Sequence, residues 1–153
     1  MVPNGSILIV DDEFGSRESL RMILKPIYEV HTAQNGQEAL NFISQNKVDL
    51  VTLDLYMPGL SGIEVLKEIK KLQPDIEVII VTVYGTLDQA QEAIHYGAGN
   101  FISKPFNVAD IIISVSKALE RRSQNMKIKG LIQQFQGLRS SQGENPGMKA
   151  RAL

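Results

Sequence analysis

Five residues scattered along the chain have side chains that could act on one substrate together. Asp11 and Asp12 directly follow the apolar run 7–10, and Asp54 directly follows the apolar run 48–53. Thr82 lies near the end of the run 76–83, and Lys104 follows the short run 100–103. Three carboxylates in one site repel one another strongly. Lys104 offsets one unit of that charge, and a divalent cation would offset the other two. With only oxygen donors at hand, a hard ion such as Mg²⁺ is expected rather than zinc. Mg²⁺ takes one or two carboxylates and leaves room for phosphate oxygens. A carboxylate can also act as a covalent nucleophile toward phosphorus. Phosphoryl transfer asks mainly for in-line placement and neutralised equatorial oxygens. Asp54 is therefore the expected nucleophile, with Lys104 and Thr82 as neutralising partners.

The elements that must gather these residues follow from hydrophobic patterning. Short continuous apolar runs alternate with amphipathic stretches, which predicts βα units around a parallel sheet covered on both faces. Strands are expected over 7–10, 28–33, 48–53, 76–83 and 100–103. The helices between them carry Leu20, Ile23 and Leu24, then Ala39, Leu40 and Ile43, then Ile63, Leu66 and Ile69 at helical spacing. Pro26 should close the first helix, and Asn35-Gly36 should open the second. Thr86 should cap a fourth that stops at Gly97, and a fifth should start near Asn107. In such (βα)₅ sheets, ligands bind outside the carboxyl ends of the strands. All five residues fall on that rim. Gly59 and Gly62 read as turn glycines, since no phosphate-cradling Gly-x-x-x-x-Gly-Lys pattern is present. His31, on a strand, and His95, near a helix end, read as structural.

Composition divides the chain. Residues 1–120 hold 9 Lys+Arg against 16 Asp+Glu, and residues 121–153 hold 7 against 1, so a −7 body precedes a +6 tail. One compact domain over 1–122 is expected, then a helical extension or linker over 123–139, where Ile128, Leu131, Ile132, Phe135 and Leu138 keep helical spacing around Gly130 and Gly137. Residues 140–153, rich in Ser, Gln and Gly, read as a disordered tail. The basic residues are scattered and accompany no nucleic-acid motif. Neither direct nucleic-acid binding nor membrane association is expected. Zero cysteines and no signal-peptide pattern point to the cytoplasm.

Ile-Val-Asp-Asp-Glu at 9–13, Leu-Asp-Leu-Tyr-Met-Pro-Gly at 53–59 with Gly62, Val-Thr at 81–82 and Ile-Ser-Lys-Pro-Phe at 102–106 together resemble the receiver domain of two-component response regulators. The stretch 83–86 with Ala93, Gly97-Ala98 and Asn100-Phe101 is most similar to receivers of sigma-54 activator type. The resemblance implies a flavodoxin-like doubly wound sheet in the order 2-1-3-4-5. It implies that a histidine kinase phosphorylates Asp54 to regulate an output domain or partner. Mg²⁺ would be held directly by Asp12, Asp54 and the Tyr56 backbone carbonyl, and by Asp11 through water. Lys104 would contact the phosphoryl group and precede a cis peptide to Pro105. Thr82 would move toward the phosphoryl group, with Phe101 turning inward behind it to change the surface of the fourth helix, fifth strand and fifth helix. Tyr56 and Tyr84 occupy positions that resemble those controlling dephosphorylation, so slow self-dephosphorylation is the only catalysis expected. A phosphorylation-enhanced homodimer through the last helix follows from the apolar stripe.

Two rival readings remain. A haloacid-dehalogenase-like phosphatase would need an acid at position 56, where this chain has Tyr56. An unphosphorylated interaction module rests only on Val83, where the family usually has a small residue.

Overall fold

The computed structural model describes residues 4–83 and 85–143. Five βα units follow one another: β1 Ser6–Val10, α1 Phe14–Leu24, β2 Glu29–Ala33, α2 Gly36–Gln45, β3 Leu50–Leu53, α3 Gly62–Leu72, β4 Glu77–Thr82, α4 Leu87–His95, β5 Asn100–Ser103 and α5 Val108–Gly143. All strand pairs are parallel, and the sheet order is β2-β1-β3-β4-β5. The flavodoxin-like order drawn from the resemblance is the order observed.

Strand side chains alternate between two buried layers, which explains why these strands read as continuous apolar runs. Leu8, Val10, Val51, Leu53, Val78 and Ile80 pack with Ala39, Ile43, Val65, Leu66, Ile69 and Ala93 on one face. Ile7, Ile9, Leu50, Ile79 and Val81 pack with Leu20, Leu24, Ile111, Val115 and Ala118 on the other. Register then aligns the strand ends. Val10 pairs with Leu53, so Asp11 and Asp54 are the next residues on adjacent strands. Asp54 N donates to Val10 O at 3.0 Å, and Lys104 N donates to Thr82 O at 2.8 Å, extending the ladder by one rung on each side.

The helices start where side chains satisfy their first N–H groups. Asn35 caps α2, Ser61 caps α3, and Thr86 forms a reciprocal capping box with Gln89 on α4. Gly97, at φ +104°, stops α4 in a conformation that favours glycine. At Gly62 a Cβ would lie 2.5 Å from Asp54 O and from Leu55 Cα, so only glycine lets α3 begin so close to the Asp54 loop.

At the opposite edge of the sheet, Glu77 takes a two-pronged contact from Arg121, Nε to Oε1 at 2.8 Å and a second guanidinium nitrogen to Oε2 at 3.0 Å. Asp49 pairs with Arg122 at 3.1 Å and accepts from Ser6 N at 2.9 Å. Strand β3 therefore starts at Leu50 rather than at Val48.

The chain divides into the units Met1–Arg122 and Ser123–Leu153. Helix α5 continues to Gly143, which corrects the disordered tail expected from residue 140; the remainder of that segment, 144–153, lies outside the described residues. Leu, Gln, Lys and Arg are good helix formers, and single glycines cost only about 1 kcal/mol each, so Gly130 and Gly137 do not end the helix. From Ser123 to Ser141 every residue is exposed, including Ile128, Leu131, Ile132, Phe135 and Leu138. Among the described residues no helix is long and apolar enough to cross a membrane.

Candidate phosphoacceptor site

Asp54 emerges from β3 almost fully buried, and both of its carboxylate oxygens are occupied. Oδ1 accepts from the Thr82 hydroxyl at 2.8 Å and from Tyr56 N at 3.0 Å. Oδ2 accepts from Lys104 Nζ at 2.8 Å, and the same ammonium donates to Asp11 Oδ2 at 2.7 Å. The Lys104 side chain thus bridges the carboxylates after β1 and β3 from the end of β5. Asp11 is also buried, and its Oδ1 accepts from Glu13 N at 2.9 Å. Asp12 is exposed.

One carboxylate oxygen from each of Asp11, Asp12 and Asp54 lies within 4.8 Å of the others. Three acids against one ammonium leave the cluster two units negative. An all-oxygen donor set of this size and charge fits a hard divalent cation such as Mg²⁺. Burial pushes the Lys104 ammonium down, but its hydrogen bonds to Asp11 and Asp54 and their charges outweigh this. The net pKa is raised above its ordinary value. Lys104 is thus a fixed positive charge across the neutral range.

The five rim residues expected from the sequence stand together. The Lys104–Pro105 peptide is cis. Tyr56 is half-exposed, and its hydroxyl accepts from Gln89 Nε2 at 2.5 Å. Phe101 packs partly buried against the core, and a Cβ on Gly85 would lie 2.4 Å from its Cε1. Tyr84 lies outside the described residues. The two histidines are held away from the rim. His31 meets Glu29 at 2.9 Å and stacks near Phe42, while His95 packs edge-on against Tyr96. Two residues at the site escaped the sequence reading. Arg17 reaches back from α1 to the Asp11 carbonyl at 2.9 Å, and Gln89 reaches Tyr56 from 33 positions away. Thr86 was legible in the sequence as a helix cap, but nothing there told that Gln89 would close the cap and point its amide nitrogen at Tyr56.

Known proteins agree with this geometry. The response regulator receiver domain family matches residues 7–116. The chain is 42% identical over 121 residues to sporulation initiation phosphotransferase F of Bacillus subtilis (strain 168), covering 78% of this chain and 98% of that protein. It is 35% identical over 128 residues to regulatory protein AtoC of Escherichia coli (strain K12), covering 83% of this chain but 28% of that longer protein. Among solved structures, a CheY-like response regulator receiver domain protein from Methanospirillum hungatei JF-1 superposes with a TM-score of 0.77 at 30% identity, covering 82% of this chain and 99% of that one. NtrX from Brucella abortus gives 0.80 at 34% identity, with 86% of this chain and 30% of that one covered. On the strength of both its matched length and its site, the chain belongs to the response regulator receiver domain family, whose members are phosphoacceptors of two-component signalling.

Proposed function

We propose that the chain is a phosphorylation-controlled switch in which Asp54 takes a phosphoryl group from a histidine kinase and passes the change to the α4–β5–α5 surface. The observation that carries this reading is the ring of donors on Asp54. Thr82, Lys104 and the Tyr56 N–H already hold its two oxygens at 2.8–3.0 Å.

An Asp54 oxygen attacks phosphorus, and the bond from phosphorus to the donor's imidazole nitrogen breaks. The electron pair leaves with the imidazole. As charge moves onto the phosphoryl oxygens, the Thr82 hydroxyl and the Lys104 ammonium follow it from the carboxylate. Donors fixed before the reaction need little reorganisation during it. Asp11, Asp12, Asp54 and the Tyr56 backbone carbonyl would hold Mg²⁺, Asp11 through water. When bound, the ion supplies the two positive charges that the acid cluster lacks. Slow return follows when water attacks phosphorus and releases the Asp54 carboxylate, with Tyr56 and Tyr84 limiting its approach.

The switch draws on differential contact, the only means by which phosphorylation can shift an equilibrium. Thr82 leaves Asp54 Oδ1 for a phosphoryl oxygen, and Phe101 fills the space behind. The output lies in a further domain or a partner. The exposed stripe from Ile128 to Leu138 strengthens a homodimer on phosphorylation. The chain works in the cytoplasm as a receiver over 1–122 with a helical extension.

Intact-mass spectrometry with acetyl phosphate and Mg²⁺ tests the reading. One added phosphoryl is expected, lost in Asp54→Asn and strongly reduced by a chelator. Unchanged labelling of Asp54→Asn would overturn it. For the switch, sedimentation with beryllofluoride and Mg²⁺ should show more dimer, with a weaker response in Thr82→Ala.

A further inference from the structure

Gln89 carries two tasks in one side chain. As the third residue of α4 it closes the capping box, its Oε1 accepting from Thr86 N at 3.2 Å while its own N–H donates to Thr86 Oγ1 at 3.1 Å. A carboxamide has one oxygen and one NH₂ group. With Oε1 committed to the cap, the NH₂ end must point away from the helix terminus. It points to Tyr56, whose phenolic oxygen accepts from it at 2.5 Å.

Tyr56 is held at its other end too. Its backbone N–H donates to Asp54 Oδ1, so the residue begins at the reacting carboxylate. The Tyr56–Gln89 bond joins the loop after β3 to the helix after β4. It therefore bridges the interval between the strand ends that carry Asp54 and Thr82. An unpinned phenol on a half-exposed side chain would sample several rotamers.

We propose that Gln89 is a positioning residue for Tyr56: from the capped first turn of α4 it holds the phenol across the mouth of the Asp54 site and so sets how fast water reaches the aspartyl phosphate. This rests on Asp54 being the phosphoacceptor. It adds to that reading a residue on α4, the helix whose surface the switch is proposed to alter. Anything that shifts the start of α4 must then shift the phenol, and the lifetime of the phosphorylated state is tied to the position of that helix.

The test is a cycle of variants labelled with acetyl phosphate and Mg²⁺, cleared of donor, and followed by intact mass as the phosphoryl group is lost. Gln89→Ala and Tyr56→Phe should each speed the loss about three- to ten-fold, the equivalent of one ordinary hydrogen bond. The double variant should lose it no faster than Tyr56→Phe alone. Thr86→Ala weakens the same helix cap while leaving the Thr86 N–H and the Gln89–Tyr56 bond, and should stay within about two-fold of the parent. Circular dichroism establishes that each variant is folded. The Gln89 side-chain NH₂ resonances should also shift in Tyr56→Phe before any phosphorylation. A Gln89→Ala lifetime equal to the parent's, effects that multiply in the double variant, or an equal gain from Thr86→Ala would each overturn the inference while leaving Asp54 chemistry intact. Absence of labelling in every protein, the parent included, would overturn the phosphoacceptor reading and this one with it.

Discussion

At the N-terminal edge of the sheet, Glu77 and Asp49 each meet an arginine of their own, at 2.8 and 3.1 Å. At the C-terminal edge, Lys104 bridges Asp11 and Asp54, and Asp12 adds a third acid to the cluster. The two edges belong to the same strands and lie under the same helices. One is neutralised pair by pair and fastens α5 to β3 and β4. The other is left two charges short, a state that costs stability and that a bound cation or a phosphoryl-transfer site can use. Excess charge of one sign in a cluster with two buried acids marks the candidate site more clearly than any one residue does.

The lysines follow the same division. Lys104, between two carboxylates, has its pKa raised despite burial. Lys70, near Glu77, donates to Ile76 O at 2.6 Å, and burial pushes its pKa down.

Substitutions at the two edges should therefore differ in kind. The largest effect is expected from Lys104→Met, which removes the one fixed positive charge at Asp54. Phosphoryl incorporation from acetyl phosphate should fall about 100-fold or more, whereas Glu77→Ala should label within about two-fold of the parent. Comparable labelling rates for the two variants would erase the distinction between the edges. Next comes metal. Denaturant unfolding at Mg²⁺ one hundred times its Kd should show about 2.7 kcal/mol of added stability. Asp12→Ala should lose most of that gain at the same Mg²⁺ concentration, and Glu77→Ala should keep it.

Without metal the signs should be opposite. Glu77→Ala strands a partly buried guanidinium and should cost about 1–2 kcal/mol, a value moderated by the half-exposure of Arg121. Asp12→Ala relieves like-charge repulsion and should raise stability by about 1 kcal/mol. Two losses of similar size would show that the rim acids do not strain the fold.

The smallest effect is in alkaline pH. The raised pKa of Lys104 means that the folded state binds more protons than the unfolded one above about pH 10.5. Its contribution is complete below that value and lost as pH climbs through the folded pKa. Lys70, lowered, does the reverse and adds stability as pH rises toward 10.5. Urea midpoints between pH 8 and 11 should fall less steeply in Lys104→Met and more steeply in Lys70→Met.

Much of the candidate site was legible because the apolar runs before Asp11, Asp54 and Lys104 stop where a charged residue begins, with Thr82 near the end of its own run. The runs before Asp11 and Asp54 end in Val10 and Leu53, and parallel register pairs those two residues directly. Long-range side-chain pairing was less accessible. Gln89 reaches Tyr56 across 33 positions, and Arg121 reaches Glu77 across 44, separations at which composition shows only that the partners exist. The start of β3 was set two residues early because Val48 is apolar, while Asp49 turns its carboxylate to Ser6 and Arg122. The helical stretch through Gly143 was missed at its end because Ser, Gln and Gly were weighed as a loop composition, although nothing from 123 to 143 forbids a helix.

The central claim is that Asp54, and neither of its acidic neighbours, carries the phosphoryl group. Labelling with acetyl phosphate and Mg²⁺, reduction of the acyl phosphate with borohydride, and peptide mapping would locate it directly. The account predicts homoserine at position 54 and unaltered aspartate at Asp11 and Asp12. Homoserine at 11 or 12, or an intact Asp54 in protein that has gained a phosphoryl group, would contradict it.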